Sequence, residues 1–156
     1  MKALIGNFET RVDSKRRVAI AAGIRDQITA SAGENFAVVP DPDTEGRRER
    51  YLWLFPDLYF RELLANMKRS DMTPQEQENL DHWQAIAEVV KPDSQGRVVI
   101  PEKIIKYAVV AEEVMLSCSG KHIEIWPRDK WQEAYGQVPT LPRAIFDEAT
   151  DRMQSK

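Results

Sequence analysis

Two stretches decide how this chain is read: "DSKRRVAI" at residues 13–20 and "DSQGRVVIP" at residues 93–101. Each runs Asp-Ser-x-x-Arg into an alternation of apolar residues. Overlaid at an offset of 80 residues, they put Arg17 on Arg97, Val18 on Val98, Ile20 on Ile100 and Ile24 on Ile104. Further along, "WLFPDLYF" from Trp53 falls on "EIWPRDKW" from Glu124 at an offset of 71, with Pro56 on Pro127 and Phe60 on Trp131. An ordered series of matches in both halves predicts an internal repeat, which determines how the rest of the sequence is read. The nine-residue change of offset predicts an insertion in the first copy, placed within "DPDTEGRRER" from Asp41.

Working outward, each copy has the same grammar. Phe8, Thr10 and Val12 alternate with charged residues before the polar break, and Val18 and Ile20 alternate after it. In the second copy Ala87, Val89 and Lys91 precede the break, with Val98 and Ile100 following. Period-2 alternation on both sides of a polar break predicts strand-turn-strand. "FAVVP" and "VMLSCS" predict further strands. "YLWLFP" and "IEIWP" predict strands closed by a proline, which has no N–H for the next rung of a ladder. The segments "DLYFRELLANMKR" and "RDKWQEAYG" then predict amphipathic helices.

Between the copies, "TPQEQENLDHWQAIAEVV" carries the signals of a helix start. Thr73 is the cap, Pro74 the first helical residue and Glu76 the partner in a capping box. Leu80, Trp83 and Ile86 line one face of this linking helix, which is expected to pack on both copies. The chain therefore divides into a first half (1–70, with the insertion near 41–50), the linking helix (71–86), a second half (87–136) and a tail (137–156). The tail is expected to be a surface arm or oligomer contact, disordered at its end. Neither half, with about five short strands and one helix, buries much alone. The predicted architecture is α+β and β-rich: one pseudo-twofold β-barrel unit flanked by helices.

Composition bounds the function. With 156 residues, 42% of them hydrophobic and 30% charged, the chain is long enough for one packed core under a soluble surface. No segment reads as a signal peptide or a membrane span, and Cys118, the single cysteine, reads as a buried inert thiol; a cytoplasmic protein is expected. The net charge of −3 argues mildly against a nucleic-acid partner. Its distribution is uneven, near +2 through residue 70 and −5 beyond, and a polyanion responds to the local field.

The polar break is where chemistry is expected. Asp and Ser start turns in any protein, and Gly96 supplies a positive φ, so a single copy signals no more than a hairpin. A turn has no need of an arginine at its exit, however, and here the arginine recurs, reinforced in the first copy as Lys15, Arg16 and Arg17. A guanidinium on a rigid hairpin presents a planar fork matched to phosphate or to the O6/N7 edge of guanine. A local ion pair to Asp13 or Asp93 would hold it in place, reducing the entropy cost of binding.

With these motifs the chain resembles the MraZ family of bacterial transcriptional regulators, in the AbrB-like swapped-hairpin superfamily. "VDSQGRVVIP" and "EKIIKYAVVAEEVMLSCSGKHIEIWPRDKWQEAY" are similar to the second half of that family, and "GNFETRVDSKRRVAI" through "LWLFPDLYF" to the first. The likeness spans residues 5 to 136. It implies two AbrB-like swapped-hairpin β-barrel halves per chain and a ring-like homo-oligomer. It further implies a DNA-binding, nucleoid-associated repressor of a division and cell wall gene cluster, acting on short direct repeats in double-stranded promoter DNA. Carried over by motif, the DNA-contacting residues are Lys15, Arg16, Arg17, Gln95 and Arg97, with Asp13, Asp93 and Gly96 organising the loops. Two departures stand out. Arg16 occupies a position that is glycine in the family, so the first turn is expected to differ in shape. Arg25 matches a basic position of the first copy, where the second copy has Ile105.

Other chemistries find little support. His82 and His122 are far apart with no cysteine at ligand spacing, so no metal is expected. No serine sits in a nucleophile-elbow pattern, and "ASAGEN" lacks the lysine of a phosphate-binding loop. No catalytic residue and no cofactor is assigned. The competing reading is an AbrB-like interaction or adaptor module that grips a partner through Leu141, Ile145 and Phe146 of its tail. An adaptor would not need Arg17 and Arg97. "EGRRER", from Glu45, reads as a solvated loop.

Overall fold

The alternation around Phe8 builds strand β1 (Asn7–Arg11), which turns tightly and returns as β2 (Arg17–Ala19) in the computed structural model, which describes residues 1–155. A short helix α1 (Ala22–Arg25) leads to the hairpin β3 (Phe36–Pro40) and β4 (Leu52–Pro56), then to helices α2 (Asp57–Ala65) and α3 (Pro74–Ile86). The second half repeats this order with β5 (Glu88–Val90), β6 (Arg97–Val99), β7 (Glu113–Ser119), β8 (His122–Pro127) and helices α4 (Arg128–Tyr135) and α5 (Arg143–Gln154). Pro56 and Pro127 end their strands as expected, and each is followed at once by a helix. The fold is a mixed α+β arrangement with antiparallel sheets.

Six strands form one sheet in the order β1-β7-β8-β4-β3-β5, and β2 pairs with β6 in a separate two-stranded ribbon. Exchanging corresponding strands of the two halves leaves this order unchanged. The registers behave the same way: Val18 faces Val98 in the ribbon, Trp53 faces Glu124 between β4 and β8, and both pairs map onto themselves. β1 pairs only with β7, and β5 only with β3, so each half's first strand completes the other half's sheet. A shared core follows from this interleaving. Val18 and Val98, Ile20 and Ile100, Ile24 and Ile104, Val38 and Leu116, and Leu54 and Ile125 are all buried in one cluster. Ribbon and sheet are its two layers.

The register corrects several expectations. Val38 pairs with Glu88 and Leu116 with Phe8, so the offset at β3 and β7 is already 78. Two of the nine extra residues therefore lie before β3 and seven between β3 and β4. In β5 the inward phase is Glu88 and Val90, whereas Val89 is 47% exposed; three residues are too few for alternation alone to set the face. The capping box at Thr73 and Glu76 is present, and Trp83 packs on Phe60 and donates from Nε1 to the Pro40 carbonyl at 2.8 Å. The linking helix thus lies chiefly on the first half. The "EGRRER" loop is solvated, as expected, at every residue but Arg47, and it is also tethered: Arg47 pairs with the buried Asp41 and stacks over Tyr51 and Trp126, and the exposed Arg50 donates to the Asp41 carbonyl. The tail is helical to Gln154 with no buried residue; the expected disorder at the chain's end falls on Lys156, outside the described residues.

Candidate nucleic-acid interface

Each turn is organised by its own aspartate. In the first, Asp13 Oδ1 accepts from the N–H groups of Lys15 and Arg17 at 2.9 and 2.8 Å, and Oδ2 accepts from Arg17 Nε at 2.7 Å. In the second, Asp93 Oδ1 accepts from the N–H groups of Gln95 and Arg97 at 2.8 and 3.0 Å, and Oδ2 from Arg97 Nε at 2.9 Å. The backbone closes identically: the N–H groups of Arg16 and Gly96 donate to the carbonyls of Asp13 and Asp93, and the N–H groups of Asp13 and Asp93 donate to the carbonyls of Arg17 and Arg97. This is the hairpin turn that ends in a left-handed residue. Arg16 has φ 61° and Gly96 φ 77°, so the expected difference in shape is absent. A non-glycine residue held there costs roughly 1–2 kcal/mol, and the first turn keeps its form regardless. Both carboxyls sit below the ordinary aspartate value of 3.8, chiefly because of the backbone N–H of Arg17 or Arg97.

The ribbon brings the two turns together. Val18 and Val98 point into the core, so by strand alternation Arg17, Ala19, Arg97 and Val99 point the other way. Arg17 stands opposite Val99 and Arg97 opposite Ala19, which puts the arginines at diagonal positions of one outward face, about 7–8 Å apart at the backbone. Each is 32% exposed and fixed through Nε, and among the described residues its Nη groups have no protein partner. Lys15 and Gln95 are exposed at the turns. Arg16 is half-buried and donates from Nε to the Ile100 carbonyl at 3.0 Å.

One residue of this region escaped sequence reasoning as a site residue. Arg25, on α1, donates from Nε to the Ile20 carbonyl at 2.8 Å and lies against Gly96. The signal for it was present as the mismatch between Arg25 and Ile105. Five basic side chains (Lys15, Arg16, Arg17, Arg25 and Arg97) here face two turn aspartates, a local excess of positive charge in a chain of net −3. Elsewhere many arginines have carboxylate partners, as Arg11 with Glu113, Arg69 with Asp81 and Arg143 with Asp147. The free planar edges of Arg17 and Arg97 are suited to bidentate bonds with phosphate or a guanine edge.

Away from the turns, Cys118 is half-buried and burial raises its thiol pKa. His122 donates from Nε2 to the Glu124 carboxylate at 2.9 Å and stacks on Trp53. Among the described residues no three His, Cys, Asp or Glu side chains cluster as metal ligands would, and no helix is long and apolar enough to cross a membrane.

Comparison with known proteins adds independent information. A family model described as "MraZ protein, putative antitoxin-like" matches residues 85–155. Over a longer span the chain is 31% identical to the transcriptional regulator MraZ of Herpetosiphon aurantiacus, across 82% of this chain and 83% of the relative. It is 30% identical to the transcriptional regulator MraZ of Nitrosomonas europaea, across 81% and 82%. The protein of the same name from Clostridium tetani is 28% identical across 83% of this chain and 84% of its own length.

Proposed function

The chain belongs to the MraZ family, and on that premise we propose that it is a transcriptional regulator that binds double-stranded DNA in a sequence-specific manner through its two Asp-x-x-x-Arg turns. Arg17 and Arg97 make the principal contacts, Lys15, Arg16 and Gln95 add to them, and Asp13, Asp93 and Gly96 set the turns. The observation that carries this reading is the placement of two identically tethered arginines on one outward face. A local ion pair that merely orders a turn would explain one such arginine; two matched ones with free planar edges fit a repeated anionic ligand.

In this reading the two halves are AbrB-like swapped hairpins, 1–70 and 87–136, joined by the linking helix and followed by the tail. The exchange-invariant strand order supports it. Several copies in a ring-like homo-oligomer align their turns along DNA, so weak single contacts add up and the negative total charge is overcome locally. The target is short direct repeats ahead of a division and cell wall gene cluster, with repression as the outcome, in the cytoplasm at the nucleoid.

The test is binding of the full chain to duplex DNA from upstream of its own gene cluster, across salt concentrations, for wild type, Arg17→Ala, Arg97→Ala and the double variant. Loss of one phosphate contact lowers the slope of log K against log[salt] by about 1. Both singles are expected to lose slope and the double variant to lose specific binding. A double variant that binds like wild type would refute the assignment. The tail favours a second reading, since Leu141, Ile145 and Phe146 are all exposed on α5: an adaptor whose tail grips a protein. That reading expects tail deletion, and not turn substitution, to abolish function.

A further inference from the structure

The two halves differ in what lies on the outer face of the large sheet. In each half the proline-closed strand runs into two helices, α2 and α3 in the first and α4 and α5 in the second, separated by residues 66–73 and 136–142. So α5 stands in the repeat where α3 stands. α3 folds back on its own half, with Trp83 on Phe60. α5 does not: it has no buried residue, and Ile145, Phe146 and Met153 are each more than half exposed. Phe146, Ala149 and Met153 follow the i, i+3, i+7 spacing of one helix face, with Ile145 beside them. A helix of 12 residues is marginal in water on its own, so this apolar face needs a seat. The first half offers one. Trp53, Leu63, Met67, Leu80, Trp83 and Ile86 line an open groove of about 610 Å³ beside α3. At the offset of 71, Phe55 and Leu63 of this groove fall on Trp126 and Ala134. There Arg47 of the insertion, held by Asp41, lies over the Trp126 ring with its Cζ 5.1 Å from the centroid. The insertion thus stands on the second-half face that corresponds to the groove, and α5 stays off it.

We infer that α5 of one copy seats its apolar face in the groove beside α3 of a second copy. This rests on the homo-oligomer of the reading above and names the contact that builds it. The aromatic and aliphatic lining suits Ile145, Phe146 and Met153. Charge favours the same occupant. Among the described residues the groove lining carries one arginine, Arg50, and no carboxylate, whereas α5 carries Asp147, Glu148 and Asp151 against Arg143 and Arg152. A helix of negative balance therefore meets a positive rim. Pro139 and Pro142 stiffen the link from α4, which reduces the entropy lost when the arm docks. Arm and groove are different surfaces, so the contact is heterologous. Each chain gives one arm and receives one, an arrangement that closes into a ring or runs on as a filament. Because Arg47 covers the corresponding second-half face, the near-symmetric chain keeps a single acceptor, on the half opposite its arm.

The experiment measures the mass of the full chain in solution, without DNA, by light scattering on a sizing column and by native mass spectrometry. The arm variant is Phe146→Asp/Met153→Asp, changed only at exposed positions. The groove variant is Leu80→Asp, and Met67→Asp repeats the test from the α2 side; unfolding midpoints check that each variant folds. Wild type is expected to assemble beyond a dimer, and each variant alone to fall to the mass of one chain. An equimolar mixture of arm and groove variants is expected to recover a heterodimer and nothing larger, because it holds one intact arm facing one intact groove. If the folded variants keep the wild-type mass, or if the mixture stays monomeric, the inference fails while an oligomer built on other surfaces stands. A wild type that remains a single chain at every concentration refutes the oligomer and takes this inference with it. Neither result touches the DNA contacts of Arg17 and Arg97, which have their own test above.

Discussion

Asp13 and Asp93 each bond three N–H donors with two oxygens, and this local economy makes an exposed turn rigid. The charged form is favoured in the fold, since both carboxyls lie below the ordinary 3.8. Their contribution is therefore present above 3.8 and is lost as pH falls through the depressed folded values. The double variant Asp13→Ala/Asp93→Ala is expected to show a shallower acid limb than wild type when thermal midpoint is followed against pH. An equal acid limb would mean that the turns are ordered by their backbone bonds alone. Both aspartates were legible in the sequence, because a side chain that folds back on its own next few residues needs no distant partner. The role of Arg16 was not. Its turn geometry is local, but its side chain ends on Ile100, 84 residues away.

At the scale of elements, the helix start at Thr73 was also readable, since cap and box lie within four residues. Thr73→Ala is expected to cost about 1 kcal/mol in urea unfolding, the usual worth of an N-cap. The ribbon of β2 and β6 gives a sharper prediction. Ile20 and Ile100 are both fully buried in the shared core, so either substitution by alanine should cost about 2–5 kcal/mol. The two costs should agree closely, because the positions are equivalent in register. A large disparity, measured by urea unfolding of each variant, would mean that the halves are packed unequally around the ribbon. The phase of β5 was misjudged from Ala87, Val89 and Lys91 because a strand of three residues takes its face from its neighbour. Pairing of Val90 with Phe36 decides it.

For the whole molecule, interleaving is the governing fact. β1 has its sheet partner in the second half and β5 in the first, and the core draws matched residues from both. Neither half holds a complete sheet or core. Expressed separately, residues 1–70 and 87–136 are expected to give circular dichroism and NMR spectra of unfolded chains, while the intact chain unfolds in one cooperative transition. A half that folds alone with dispersed amide signals would contradict this. The same interleaving sets Arg17 of one half beside Arg97 of the other, so the candidate site exists only in the intact fold.

What the sequence determined by itself was everything encoded within a few residues or within the repeat: the strands, the helices α2, α3 and α4, the proline-closed strands, the Asp-x-x-x-Arg turns and the correspondence of the two halves. Those features arise from short-range sterics, local hydrogen bonds and hydrophobic periodicity, which depend on neighbours along the chain. Only the tertiary structure decided that nine extra residues divide as two and seven, that Arg47 is anchored on Asp41, and that Arg25 and Arg16 donate to the equivalent carbonyls of Ile20 and Ile100. These depend on strand register and on side chains meeting across the pairing of the halves. Amino-acid order does not show such contacts until the strands are laid beside one another.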